Sequence, residues 1–300
     1  MEFSGMTITG GVIIAPPPPS TKAIFGYGTN GAISLSITNK ISNAGVVATD
    51  TAGVGTARQV LAAAGYGTDK AIFGYGFVFS GVSITNLVSN TGVVAGDTTG
   101  VGTARWSLAA ATYGSDKAIF GYGVSAVDLV STTNLVSNTG VVATDTFGIG
   151  TARRDLAAAG YGTDKAIFGY GDGNSGVTAI TNLVSNTGVV AYDTAGVGTA
   201  RKLLGAAGYG GDKAIFSYGN NGYVTNKVSN TGVVATNTTG VGTFRYNITA
   251  TSYGVDTAIF GYGESSLITN LISNTGIVAT DTAGVGTLRW NYGAATYGYA

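Results

Sequence analysis

Lys70-Ala71-Ile72-Phe73-Gly74-Tyr75-Gly76 is the word that decides the fold, because it returns along the whole chain as AIFGYG or AIFSYG. Its isoleucine falls at Ile24, Ile72, Ile119, Ile167, Ile215 and Ile259, so the spacings are 48, 47, 48, 48 and 44 residues. A fixed period of roughly 40–50 residues marks a solenoid, a propeller or an array. Each period holds four short strand-like words. In one repeat they are Leu61–Tyr66, Lys70–Tyr75, Thr85–Ser89 and Gly92–Ala95. Gly67-Thr68-Asp69 and Asn90-Thr91-Gly92 separate the words with turn chemistry. Gly and Asn supply positive φ, and Asp and Thr bond back to the local backbone. Such short separations suit antiparallel hairpins. No segment carries a sustained 3.6-residue apolar period with helix caps.

Four strands in about 47 residues fit one propeller blade. A parallel β-helix is the rival, but its rungs sit near the short end of the solenoid range, at roughly 20 residues. The expectation is therefore an all-β, six-bladed β-propeller of four-stranded antiparallel blades. The ends support closure: the chain stops at Ala294-Ala295-Thr296-Tyr297-Gly298-Tyr299-Ala300, a first word, and the repeats begin at Thr21-Lys22-Ala23-Ile24, a second word. Aligning Tyr297 with Tyr66 puts Thr21 in the place of Asp69, so N- and C-terminal strands should pair within one blade, Gly293–Tyr299 beside Lys22–Tyr27. The alanine words, Ala62–Ala64, Ala109–Ala111 and Ala157–Ala159, should line a narrow axis. Residues 1–20 form a separate tail, and residues 21–300 the propeller.

Composition removes whole classes of function. Among 300 residues there is no His and no Cys, and 15 Lys+Arg balance 15 Asp+Glu. There is then no imidazole base, no Ser-His-Asp triad, no disulfide framework and no structural zinc site of the usual kind. Zero net charge argues against nucleic-acid binding. No apolar run approaches the ~20 residues of a membrane span, and the N-terminus lacks the basic region of a signal peptide. A soluble, cytoplasm-made chain without cofactor, metal or membrane insertion is expected.

The repeats also divide framework from variation. Arg58, Arg105, Arg153, Arg201, Arg245 and Arg289 share one repeat position. Asp50, Asp97, Asp145, Asp193 and Asp281 share another, with Asn237 as the sixth. Turn bonding and Asp–Arg pairing explain such charges, and a ring of repeated polar ligand sites is the alternative. An enzyme site usually breaks symmetry, and Glu occurs only at Glu2 and Glu264, so no catalytic residues are assigned. The recurrent Tyr and Phe positions read as packing between blades. Variation concentrates between the GYG and TN words, at Thr29–Ile37, Phe77–Ile84, Val124–Thr132, Asp172–Ile180, Asn220–Val224 and Glu264–Ile268. A second variable set directly follows each Arg. Candidate ligand-binding residues in these sets are Phe77, Phe79, Trp106, Asp128, Asp172, Asn174, Tyr223, Tyr246 and Trp290. In the tail, the apolar positions Met6, Ile8, Val12, Ile13 and Ile14 could add a strand to a partner, with Pro16–Pro19 as a stiff polyproline spacer.

The order Arg105, Ala109-Ala110-Ala111, then Lys117-Ala118-Ile119-Phe120-Gly121-Tyr122-Gly123 resembles a divergent Kelch-type propeller repeat. Gly-Tyr-Gly stands where that family has Gly-Gly, and its later Trp is absent. The wording SNTGVVATDTAGVGTAR with DKAIFGYG also resembles repeat proteins of marine bacterial viruses, cyanophage-like ones among them. TITGGVIIAPPPP is similar to the start of some phage structural proteins. The resemblance implies a non-enzymatic virion structural protein, a tail or capsid accessory part made in the host cytoplasm. It would dock on other virion proteins through residues 1–20. The alternative is an adhesin that binds a host surface glycan or receptor through the variable loops of one propeller face.

Overall fold

The computed structural model describes residues 7–9, 12–14 and 21–299. Among them there is no helix, and the fold is all-β and propeller-like, built from small antiparallel sheets. Six three-stranded sheets repeat with one internal register. In one of them Ala62–Tyr66 pairs with Lys70–Gly74, which pairs with Thr85–Val88. The sheet that holds both chain ends joins Gly293–Tyr299 to Thr21–Thr29 and then to Ser34–Ile41, with Tyr297 opposite Lys22 and Gly293 opposite Gly26. The first strands touch one another in a closed cycle. Alanines such as Ala64, Ala111 and Ala159 face the common axis, because only small side chains fit where six strands converge.

The fourth word of each repeat is not a continuous strand. It is held by two isolated bridges, Val88 to Val94 and Thr85 to Thr98 in one repeat, and the same two bridges recur in all six. The cause is the buried Asn of the TN word. Asn86 Nδ2 donates to the Ala95 carbonyl at 3.0 Å and to Asp97 Oδ1 at 2.9 Å, so the chain bows around a side chain instead of continuing the ladder. The same Asp then latches the segment that leads into its own sheet. Asp97 accepts from the Thr56 hydroxyl at 2.6 Å and from the Thr56 N–H at 3.0 Å.

Neighbouring sheets are spaced by aromatic rings. Phe73 lies edge-on to Tyr27 at 5.1 Å, Phe120 to Tyr75 at 5.1 Å, and Phe25 closes the cycle against Tyr262 at 5.4 Å. Each Phe needs room that only glycine leaves. A β-carbon on Gly74 would stand 2.6 Å from Phe120 Cζ, and one on Gly26 would stand 2.7 Å from Phe73 Cζ. One repeat carries Ser217 at this position. Its partner across the strand pair is Gly205, and the next phenylalanine, Phe260, lies against Gly205 instead.

The six arginines cross-link the sheets. Arg58 and Arg105 are fully buried, with their guanidinium groups 4.3 Å over the rings of Tyr27 and Tyr75 in the preceding sheets. Buried charge is costly unless its donors are satisfied. Arg153 satisfies all three nitrogens: Nε donates to the Tyr170 carbonyl, Nη1 to the Thr151 carbonyl and Nη2 to Asn182 Oδ1. Tyr27, Tyr75, Tyr122, Tyr170 and Tyr218 adopt φ between 62° and 67°, a conformation rare for a large non-glycine residue. In Tyr75, Tyr170 and Tyr262 the carbonyl accepts from an arginine Nε, so the sheet-to-sheet cross-link also fixes the chain path after the second strand.

At one end of the axis the hairpin turns complete a ring of main-chain bonds. Gly67, Gly114, Gly162 and Gly210 each donate to the carbonyl of the next Asp, namely Asp116, Asp164, Asp212 and Asp256. Gly254 donates to Thr21 at 2.8 Å and Gly298 to Asp69 at 2.7 Å, so the chain ends take part on equal terms.

Two outcomes test this packing. Gly74→Ala should cost about 1–3 kcal/mol, as overpacking of a filled core does. Ser217→Gly should cost only the backbone-entropy increment of roughly 0.5–1 kcal/mol, and denaturant unfolding compares the two. The latches give a pH signature. Burial works to raise the Asp50, Asp97, Asp145, Asp193 and Asp281 carboxyls, but the Thr and Asn hydrogen bonds and the nearby Arg charge hold all five below 3.8. Depressed folded-state values stabilise the fold above the ordinary carboxylate range, and that stability is lost as pH falls below 3.8. Converting all five to Asn, which Asn237 shows to be compatible with the latch, should flatten the fall in melting temperature between neutral and acid pH. An unchanged acid slope would place the sensitivity elsewhere.

Candidate functional site

The far end of the axis is where the repeats differ. The chain enters each sheet there through the residue pair that follows the buried Arg, and this pair meets the insert between the second and third strands. Gln59 pairs with Phe77, Trp106 with Val124, Arg154 with Asp172 and Trp290 with Thr29. Asn220 and Glu264 donate their N–H groups to the carbonyls of Lys202 and Tyr246. The two variable sets therefore form one surface, and the six framework arginines and the latch residues lie apart from it in the packing described above.

The surface consists of unlike sectors. Phe77 and Trp106 stack edge to face at 5.2 Å, and Phe79 beside them is 97% exposed. Tyr223 and Tyr246 both lean on Phe244, at 6.5 and 6.2 Å. Glu264 borders this trio: its negative charge raises the Tyr246 hydroxyl's pKa, and its Oε2 accepts from Asn247 Nδ2 at 3.0 Å. Trp290 covers Gly31, where a β-carbon would meet the indole at 3.0 Å. Asp172 is a charge hub that accepts from Lys202 Nζ at 2.8 Å and Arg154 Nη2 at 3.3 Å. Lys202 and then Arg154 hold its carboxyl low, against the opposing effect of burial. Asn174 is exposed in the turn between Asp172–Gly173 and Gly176–Val177. Asp128 is exposed in a turn closed through Ser125, which makes its backbone a structural element of that loop.

Around the axis mouth, inside these sectors, Val60, Ser107, Asp155, Leu203, Asn247 and Asn291 occupy one repeat position, all with φ between 49° and 60°. Consecutive members are joined through the main chain. Val60 donates to Asn291 at 2.7 Å, Ser107 to Val60 at 2.9 Å, Asp155 to Ser107 at 3.0 Å and Leu203 to Asp155 at 2.9 Å. Together with the residues that follow them they enclose a funnel of about 120 Å³. Burial pushes the Asp155 carboxyl up, against the opposing pull of Ser107, Arg154 and Lys202.

Sequence reasoning named Phe77, Trp106, Tyr223, Tyr246, Asp172 and Trp290 as candidates; it placed Asp155, Lys202 and Glu264 in the variable sets without naming them as candidates, and it missed Phe244. Comparison across one repeat position carried the signal for Phe244. The residue before each Arg is alanine at Ala57, Ala104, Ala152 and Ala200, and becomes Phe244 and Leu288 in the other two. In the tail, Thr7–Thr9 pairs antiparallel with Val12–Ile14, placing Ile8 opposite Ile13 and Thr9 opposite Val12. Met6 and Pro16–Pro19 lie outside the described residues. Among the described residues no group of three or more Asp and Glu side chains is placed to hold a metal ion. No known protein family matches this chain, and no curated protein matches it.

Proposed function

We propose that the chain is a non-enzymatic display module. It is a six-bladed β-propeller with four segments per blade, sealed by pairing of its two ends, and it presents its variable face to a host surface glycan or receptor. One observation carries this reading: the two variable sets, separate in sequence, meet in six pairings at one end of the axis. Loops on a rigid scaffold are the usual carriers of binding. The aromatic sectors supply large contact area at low entropy cost, with polar groups beside them for orientation.

Residues 1–20 would attach the propeller to a phage particle. The resemblance in sequence supports this, and so does the short antiparallel pair of Thr7–Thr9 with Val12–Ile14. A two-stranded hairpin is marginal on its own, and its open edges suit strand addition to a partner.

A glycan array and host-cell binding with the full chain test the face. Trp106→Ala and Tyr246→Ala should abolish the signal. Val255→Ser, at the opposite end where Val255 is 54% exposed, should leave it intact. Equal binding by all three variants would remove the loop face from recognition. Deleting residues 1–20 should leave the propeller folded by circular dichroism and prevent its incorporation into particles. Normal incorporation would reject the anchor.

A further inference from the structure

The funnel at the axis mouth opens on the variable face, and its lining breaks the repeat symmetry in an ordered way. Six repeats each give four consecutive residues to its wall, the outermost being Val60, Ser107, Asp155, Leu203, Asn247 and Asn291. Around the ring Ser107 and Asp155 are neighbours, and Asn247 and Asn291 are neighbours. The order of the six sheets puts these two pairs across the axis from each other, with apolar Val60 and Leu203 between them on opposite sides. The lower wall is alanine and leucine throughout, save for Tyr292, Gly205, Gly293, Ile248 and Thr249. A pocket with apolar walls and a few convergent polar groups is the ordinary form of a small-molecule site, and at about 120 Å³ this one is small, with room for a single ring at most.

The charges at the mouth select the ligand class. Asp155 and Asp172 are matched by Arg154 and Lys202: Arg154 Nε lies 3.7 Å from Asp155 Oδ2, and Lys202 Nζ lies 2.8 Å from Asp172 Oδ2. With Glu264, which holds Asn247 at the mouth, the local sum is one negative charge, which disfavours an anionic ligand. What remains is hydrogen-bonding capacity. Asp155 offers acceptors, Ser107 both donor and acceptor, and Asn247 keeps its side-chain carbonyl free while Glu264 holds its amide. The Asn291 side chain makes no hydrogen bond among the described residues. Hydroxyl groups on a ring with apolar C–H faces match polar pairs across the axis with Val60 and Leu203 between them. All six sheets close the funnel laterally, and below it the axis narrows to a space of about 80 Å³ lined by Ala64, Gly65 and their counterparts. A ligand can enter only end-on.

We propose that this funnel is a subsite for one neutral sugar ring, taken as a free monosaccharide or the terminal unit of a chain, with Asp155 and Asn291 as its principal hydrogen-bonding residues. The inference rests on the reading of the variable face as a glycan-recognition surface and names the ring that this face would hold.

Saturation-transfer NMR with the full chain and the methyl glycosides of glucose, galactose, mannose and N-acetylglucosamine tests it directly. At least one glycoside should bind saturably. Asp155→Leu should weaken it by about tenfold or more, the loss expected for a hydrogen bond to a charged group. Leu is a safe replacement, because Leu203 fills the same ring position in another repeat. Asp128→Ala, on an outer loop, should have no effect. Absence of binding to all four glycosides, or binding unchanged by Asp155→Leu, would overturn the proposal. The glycan array separates the two readings. Array signals lost in Trp106→Ala but kept in Asp155→Leu reject the funnel and retain the face. Methyl glycoside binding that depends on Asp155, with a silent array and no host-cell binding, retains the funnel and rejects the host-surface role.

Discussion

The distance between neighbouring sheets is set by one contact, a phenylalanine edge lodged where the next sheet has no β-carbon. The close approach of Phe120 to Gly74 and of Phe73 to Gly26 brings adjacent sheets near enough for everything else to form. Tyr75 then meets Phe120 edge-on, and Arg105 can lie over Tyr75 while reaching Asn134 in its own sheet. The Ser217–Gly205 exchange shows how local the requirement is. The missing β-carbon is needed somewhere beneath the ring, and either strand of the pair can provide it.

That spacing makes buried arginine tolerable. A guanidinium sealed from water loses its hydration, and acceptors for its donors and a nearby carboxylate offset that cost. Arg153 finds both, through Tyr170, Thr151, Asn182 and the nearby Asp193. Arg201, with Asn237 in place of a carboxylate, and Arg289 depart from this, with buried nitrogens that find no acceptor among the described residues; Arg289 departs furthest. Tyr292 stands in its repeat where Leu61, Leu108, Leu156, Leu204 or Ile248 stands in the others, and the guanidinium withdraws to 5.4–5.5 Å from the rings of Tyr292 and Tyr262. It retains Asp50 at 3.7 Å. The least regular contact of the framework thus falls at the sheet that joins the two chain ends.

Much of this was legible in the sequence because a repeat is a controlled comparison. Six copies of one word reveal which positions tolerate change, and turn chemistry between words fixes strand direction. The register of closure followed from placing Thr21 at the position of Asp69, and Gly254 does donate to Thr21 as Gly298 donates to Asp69. The bow of the fourth word was not legible. It depends on Asn86 reaching the Ala95 carbonyl nine residues away, and Asn at a strand position carries no pattern that distinguishes ladder from side-chain substitution. Nor was the cluster of Tyr223, Phe244 and Tyr246 legible, because Tyr223 lies in an insert and Phe244 and Tyr246 flank Arg245, and only the fold brings them together.

The asymmetry of the variable face follows from where the inserts shorten. Asn220–Val224 and Glu264–Ile268 have five residues, where the others have eight or nine. On that side the main-chain ring at the axis mouth is also interrupted: four bonds run from Asn291 round to Leu203, and Asn247 joins neither neighbour. Asn247 instead gives its side-chain amide to Glu264, in the insert of its own repeat. The framework remains uniform through all six sheets because Phe, Gly, Arg and the latch residues hold it. Differences in insert length are therefore expressed on the variable face, where aromatic rings accompany both long inserts, at Phe77, Trp106 and Trp290, and short ones, at Tyr223 and Tyr246.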